Sequence, residues 1–231
     1  MIKVMILAAG RGERLRPLTD SLPKPLVKVA GKPLIEYHLE KLAHAGVKQV
    51  VINCAWQGGE LPKQLGDGSR WGLTIRYRHE SQALETAGGI KNAMDLLGDA
   101  PFLVINGDVY IDQLPDINSA LTQLTRHDSD MFLWLVDNPD FHPQGDFAIN
   151  DMGNVGILPE SQRLTYSGMA LYQPRVFNEI SAGKRALLPV FRASMDKQKV
   201  QGGYFQHFWC DVGTVARLNA LEQRVADISN D

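Results

Sequence analysis

Arg11, Arg14, Arg16 and Lys24 gather within one short stretch that also holds Gly10 and Gly12, directly after an apolar run from Ile2 to Ala8. Guanidinium and ammonium groups beside backbone that glycine leaves uncovered make an anion site. Pro23 and Pro25 fix their own φ and predict an extended, stiff segment that carries Lys24 at the far end of the loop. A ligand with several phosphates matches this charge better than one carboxylate does. A glycine loop after a strand is also the form of a dinucleotide-binding turn. Here Gly10-x-Gly12 lacks the third glycine, and the next stretch, with Pro17, Pro23 and Pro25 and no apolar helical period, does not supply the helix such a turn requires.

Leu7-Ala8-Ala9-Gly10-Arg11-Gly12-Glu13-Arg14 followed by Pro23-Lys24-Pro25 resembles the opening signature of the sugar-1-phosphate nucleotidylyltransferases. Asn106-Gly107-Asp108 and Trp209-Cys210-Asp211-Val212-Gly213-Thr214 extend the resemblance to position 214. Taken alone, either aspartate reads equally well as a turn residue beside glycine. The resemblance implies that Asp108 and Asp211 share a Mg²⁺ ion, which takes few protein ligands and completes its shell with phosphate oxygens and water. It also implies catalytic roles for Arg14 and Lys24, and a nucleotide held by Leu7, Ala8, Gly10, Arg11, Gly12, Glu13, Arg14, Lys24, Glu85, Gly88 and Asn106. The reaction implied joins a nucleoside triphosphate to a sugar 1-phosphate and releases pyrophosphate.

Glu85-Thr86-Ala87-Gly88-Gly89 opens an expected helix, where small residues let backbone approach a flat nucleobase; the plainer reading is an N-cap by Thr86. Leu84-Glu85-Thr86-x-Gly88-Gly89, Asn53-Cys54-Ala55-Trp56 and Gln144-Gly145-Asp146-Phe147 resemble the short uridylyltransferases that act on N-acetylmuramic acid 1-phosphate, which implies UTP as donor and a role in cell-wall recycling. Gly145, Asp146, Ser167 and Gly168 are the candidates for sugar recognition, since a hexose needs several polar partners and glycine leaves room for its ring. Relatives that act on glucose 1-phosphate carry a lysine in a Glu-Lys-Pro segment; here the comparable stretch reads Leu158-Pro159-Glu160, which argues against that sugar. Glucose 1-phosphate, mannose 1-phosphate or phosphocholine with another base, and a non-catalytic nucleotide-sugar binding protein, are the alternatives.

The elements that must hold these residues follow from pattern. Ile2 to Ala8, Gln49 to Asn53 and Phe102 to Asn106 read as strands buried on both faces, joined by a helix in which Leu34, His38, Leu42 and Ala45 share one side, with Pro33 at its first position. Further strands are expected at Ile75 to Tyr77 and Met131 to Val136, and helices at Thr86 to Leu97 and around Ile117, Leu121 and Leu124. Asp108 then lies at a carboxyl strand end, where ligands of such sheets bind. Beyond Gly145 the pattern turns to shorter strands (Phe147 to Ile149, Val155 to Leu158, Thr165 to Tyr172) and helix-like stretches near Val176 and Leu187, a mixed and partly antiparallel region. A terminal helix carries Val215, Leu218, Leu221 and Val225 as an ordinary core stripe. The expected fold is α/β, a Rossmann-like and mostly parallel sheet flanked by helices. One domain, 1–231, is expected, with nucleotide bound by about 1–110 and sugar by about 111–231.

Twenty-four Lys and Arg against 26 Asp and Glu give a net charge of −2, with no bulk attraction to nucleic acid or an anionic membrane. Two cysteines, Cys54 and Cys210, define no disulfide framework, and Met-Ile-Lys leads into a strand without a signal-peptide layout, so a cytoplasmic protein is expected. The chain stops soon after Thr214, which predicts no second activity. None of the six histidines shows metal-site spacing, neither cysteine adjoins an evident base, and no serine sits in a nucleophile elbow.

Overall fold

The computed structural model describes residues 2–157 and 163–230. The segment Leu158-Pro159-Glu160, and with it the far end of one expected strand, lies outside the described residues. In chain order the elements are β1 (Lys3–Leu7), β2 (Lys28–Val29), β3 (Lys32–Pro33), α1 (Leu34–His44), β4 (Gln49–Cys54), α2 (Glu60–Leu65) and β5 (Thr74–His79). There follow α3 (Glu85–Asn92), α4 (Met94–Leu97), β6 (Phe102–Asn106), β7 (Val109–Ile111), α5 (Ile117–Arg126), β8 (Met131–Val136), β9 (Ala148–Ile149) and β10 (Val155–Gly156). The chain continues through β11 (Thr165–Tyr172), α6 (Leu188–Asp196), β12 (Val200–Tyr204), β13 (Trp209–Asp211) and α7 (Val215–Asn230).

A seven-stranded sheet in the order β12-β8-β11-β6-β1-β4-β5 forms the centre. Pairings within β6-β1-β4-β5 and between β8 and β12 are parallel, while β11 runs against both of its neighbours, β6 and β8. Alternate residues of each central strand enter opposite cores. Val4, Ile6, Leu103, Ile105, Phe132 and Trp134 pack with Ile35, Leu39 and Leu42 of α1 and Leu124 of α5. Met5, Phe102, Val104, Leu133 and Tyr172 pack with Ile90 of α3, Leu97 of α4 and Phe191 of α6. Burial on both faces explains why these strands are continuously apolar rather than alternating.

The α/β architecture and the mixed second half agree with expectation, and several details differ. Pro33 caps α1 instead of opening it, and Ala45 follows as the exposed C-cap. The expected helix from Thr86 to Leu97 breaks at Ala93, whose N–H is taken by Ile90 and Lys91 carbonyls. Val176 sits in a 3-10 turn, Pro174–Phe177. The edge strand β12, with Gly202 and Gly203 at its centre, carries too weak an apolar signal for periodicity to find, and its parallel pairing with β8 supplies what side chains do not. In α7, Leu218, Leu221 and Val225 form a third core with Leu15, Val27, Val29 and Tyr110, while Val215 is exposed at the helix start.

β1 has β4 on one side and β6 on the other, so the chain departs from it in two directions and a crevice opens at its carboxyl end. His38 of α1 braces that region: its Nε2–H donates to the Val109 carbonyl at 2.6 Å, one residue beyond Asp108. Burial pushes the imidazole down from its ordinary 6.5 to about 4. The unfolded chain therefore takes up a proton as pH falls from 6.5 while the folded chain does not, so this contribution is present above 6.5 and lost toward pH 4. Urea titrations of the wild type and His38→Gln should show their stability difference shrinking across that window, by on the order of 1.4 kcal/mol per pH unit. A difference that stays constant from pH 7 to pH 4.5 contradicts the account.

Candidate active site

Leu7 is paired in register with Asn53 of β4 and Asn106 of β6, which sets three strand ends side by side. Above them lies a cleft of about 220 Å³ lined by Leu7, Ala8, Ala9, Gly10, Lys24, Asn53, Ala83, Glu85, Thr86, Asn106 and Asp108. A second region of about 400 Å³ runs along Gly10 to Arg14, Lys24, Asp108 and Gly213. A third, of about 350 Å³, is lined by Arg14, Asn106, Asp108, His142, Thr165, Tyr166, Ser167, Gly168, Trp209 and Asp211. Asp108 belongs to all three.

The loop after β1 is tied down along its length. Gly12 adopts a left-handed conformation, its carbonyl accepts from the Thr19 hydroxyl at 2.8 Å, and the Trp56 indole N–H donates to the Thr19 carbonyl at 3.1 Å. The Arg11 guanidinium stacks 4.4 Å from the Trp56 ring centroid, and Leu15 anchors the loop in the core beneath α7. The Lys24 segment closes as a 3-10 turn rather than staying extended: Leu26 N–H bonds Pro23 O at 2.9 Å and Val27 N–H bonds Lys24 O at 3.0 Å. Two successive turn bonds outweigh the local preference of a residue before proline. The turn directs Lys24 inward, where its Nζ lies 2.6 Å from Asp108 Oδ2 with the lysine side chain only 9% exposed.

Asp108 and Asp211 approach through strand pairing. β13 runs antiparallel to β7, Asp211 faces Val109, and Val212 N–H donates to Asp108 O at 2.9 Å. Burial pushes the Asp211 carboxyl above the usual carboxylate range, and the charge of Asp108 adds to this; Lys24, Arg217 and Arg14 oppose it. Its Oδ1 is buried with no hydrogen-bond partner, and Arg217 Nη1 stands 3.5 Å from Oδ2. Two carboxylates held together with an orphaned oxygen form a donor set that suits a hard divalent cation. Among the described residues no cluster of three or more His, Cys, Asp or Glu competes with it.

At four of the expected ligand positions, Gly88, Gly168, Gly145 and Asp146, the chain itself makes close contacts. At Gly88, a Cβ would come 2.3 Å from Gly183 O, and the Gly88 N–H already donates to Arg185 O at 3.1 Å, so its lack of a side chain makes room for the 183–185 segment. Thr86 is not the cap either, since α3 starts after Leu84 without a side-chain cap. Gly168 lines the third region at φ +81°, yet a Cβ there would lie 2.7 Å from Asn106 Nδ2, so its small size admits Asn106. Gly145 turns against Asn138 and Arg163 and lines none of the three regions. Asp146 is also set back: its Oδ1 holds His142 Nε2 at 3.0 Å and its Oδ2 accepts Tyr166 N–H at 2.8 Å. Asp146 thus orients His142, which does face the cleft. Ser167 lines the cleft too, with its carbonyl taken by the Trp209 indole at 2.8 Å.

His142 and Tyr166 line the clefts although pattern did not single them out, and Asn53 and Trp209, which fall within the motifs but carried no expected role, line them too. Each is a lone side chain whose place depends on strand register. Contrary to expectation, Cys54 does adjoin a base, with Sγ 3.3 Å from His79 Nδ1. Burial pushes this thiol up to about 11, so it stays protonated and is no nucleophile.

The nucleotidyl transferase family profile matches residues 3–227. The chain belongs to this family. It is 49% identical over 229 residues to an N-acetylmuramate α-1-phosphate uridylyltransferase of Neisseria meningitidis, spanning 96% of this chain and 97% of that one. A Caulobacter vibrioides protein of the same description is 33% identical, with 96% of each chain covered. A Bacillus anthracis protein described as a glucose-1-phosphate thymidylyltransferase, in complex with sucrose, shares the fold at TM-score 0.84 and 22% identity, over 98% of this chain and 96% of that one. As a nucleotidyl transferase the protein handles phosphate groups, which agrees with a lysine or arginine lining each of the three regions that meet at Asp108.

Gly88→Ala separates packing from ligand contact in this nucleotidyl transferase. Overpacking against Gly183 O should lower urea stability by about 1–3 kcal/mol and leave nucleotide affinity of the folded protein within about twofold. Unchanged stability with weakened nucleotide binding contradicts the packing account.

Proposed function

We propose that the protein transfers a uridylyl group from UTP to N-acetylmuramate α-1-phosphate, releasing pyrophosphate and forming a nucleotide sugar. The observation that carries the reaction type is the meeting of three clefts at Asp108, whose carboxylate pairs with the buried Lys24. The choice of base and sugar rests on the likeness to the Neisseria and Caulobacter proteins over nearly the full chain.

In this reading the nucleoside occupies the cleft over β1, β4 and β6, the polyphosphate lies along Gly10 to Arg14, and the sugar phosphate enters past His142 and Ser167. An oxygen of the sugar phosphate attacks the α-phosphorus, the bond from that phosphorus to the bridging oxygen breaks, and the electron pair leaves on pyrophosphate. The nucleophile is already an anion, so no general base is required, and the chain's task is to position anions and offset their charge. Lys24 stabilises charge at the reacting phosphate. Arg14 lines both the polyphosphate and sugar regions and draws the two anions together. Asp108 and Asp211 hold Mg²⁺, which when bound offsets phosphate charge. Residues to about 110 serve the nucleotide and those from about 111 the sugar, within one domain. On this reading the protein works in the cytoplasm, in recycling of cell-wall sugars; no described helix is long and apolar enough to cross a membrane.

Pyrophosphate release with Mg²⁺ tests the reading, with UTP, TTP, GTP and CTP each paired with the 1-phosphates of N-acetylmuramate, N-acetylglucosamine, glucose and mannose. Turnover should be greatest with UTP and the muramate. A different preferred pair reassigns the substrate, and nucleotide binding without turnover on any pair indicates a binding protein. Lys24→Ala should reduce turnover by about a hundredfold or more, as loss of a transition-state charge donor does. Near-normal turnover removes Lys24 from the chemistry.

A further inference from the structure

Glu80 is 7% exposed, follows the end of β5 and does not line the nucleoside cleft. A buried carboxylate needs partners, and this one has two. Its Oε1 accepts from Asn53 Nδ2 at 2.8 Å, and its Oε2 accepts from the Leu84 N–H at 3.0 Å, immediately before α3. Its own N–H donates to Cys54 O at 2.8 Å. Asn53 passes the connection on, because its Oδ1 accepts the Ala8 N–H at 2.9 Å. A carboxylate only accepts hydrogen bonds, so it compels Asn53 to turn its amide nitrogen toward Glu80 and its oxygen toward Ala8. Gly89 makes room for this arrangement: a Cβ there would lie 2.8 Å from Asn53 Nδ2 and 3.0 Å from Glu80 Oε1.

The groups joined in this way are the walls of the nucleoside cleft. Ala8 and Asn53 line it at the strand ends, and Ala83, Glu85 and Thr86, around Leu84, line it at the start of α3. We propose that Glu80 is a positioning residue that sets the spacing of these walls, and through it the affinity and choice of the nucleoside triphosphate. The inference rests on the uridylyl-transfer reading for the identity of the nucleotide.

The test is Glu80→Gln in the full chain. The variant retains the shape but places an amide N–H against the Leu84 N–H or against Asn53 Nδ2, so one contact is lost and the 80–86 loop moves off its seat. UTP affinity, measured calorimetrically, should fall about tenfold or more, which is about 1.4 kcal/mol. The KM for UTP should rise in step and the preference for UTP over CTP should shrink. Turnover at saturation should stay within about threefold, and the KM for the sugar phosphate within about twofold. A purely structural role lowers the melting temperature without separating the two KM values. Should Glu80→Gln not fold, Gly89→Ala presses on the same two groups with the carboxylate retained, and the same selective loss is expected. UTP affinity within twofold of wild type in a folded variant, or equal weakening for both substrates, overturns the proposal. A wild-type protein that binds another nucleoside triphosphate in place of UTP overturns the uridylyl reading alone, and the comparison of variant with wild type is then decisive with that nucleotide.

Discussion

The contact between Lys24 and Asp108 joins the two parts of the chain on which everything else at the site depends. An ammonium group taken out of water is costly unless a counter-charge meets it, and at 2.6 Å Asp108 does so. For the contact to form, the loop after β1 must fold back over the sheet and the chain after β6 must turn at Gly107 toward it. Each is held from elsewhere. Leu15, Val27 and Val29 are sealed under α7, and Asp108 is fixed through β7 by its pairing with β13 and by His38 of α1. The pair is thus a point where the first and middle thirds of the chain meet, each braced by the last through β13 and α7.

Its electrostatic setting is unbalanced in a way that invites phosphate. Asp211 enters the same place through β13, and its carboxyl is pushed up by burial and by Asp108. Arg14 stands exposed at the edge, and Arg11 is stacked on Trp56. Carboxylates crowd the floor while cations line the loop, so a ligand bearing several anions together with a divalent cation relieves both. An isolated carboxylate or a neutral sugar satisfies only part of this arrangement.

Glycine carries much of the packing around the site, and its meaning is not local. Gly88 accommodates the 183–185 segment, Gly89 accommodates the Asn53–Glu80 contact, and Gly168 accommodates the Asn106 side chain. A glycine beside a cleft signals close approach, but whether ligand or protein makes the approach is decided by residues far away in sequence. The set-back position of Asp146 has the same origin: its hydrogen bonds to His142 and to the Tyr166 N–H arise from a loop folding against β11.

Much of this protein was legible in the chain alone. Apolar runs such as Phe102 to Asn106 have no alternative to burial on both faces, and the cations around Gly10 and Gly12 have no purpose in a core. Those features are short-range, which is why the sheet, the anion loop and both aspartates could be found from pattern and resemblance. Tertiary structure decided what depends on register and on distant contacts: the inward turn of Lys24, the edge strand β12, the facing of His142 into the cleft and the buried bridge through Glu80. A lone histidine or glutamate has no period and no fixed spacing. Its role is set by which strand ends and loops come to lie beside it, because hydrogen bonds and desolvation act over a few ångströms in space and not along the sequence.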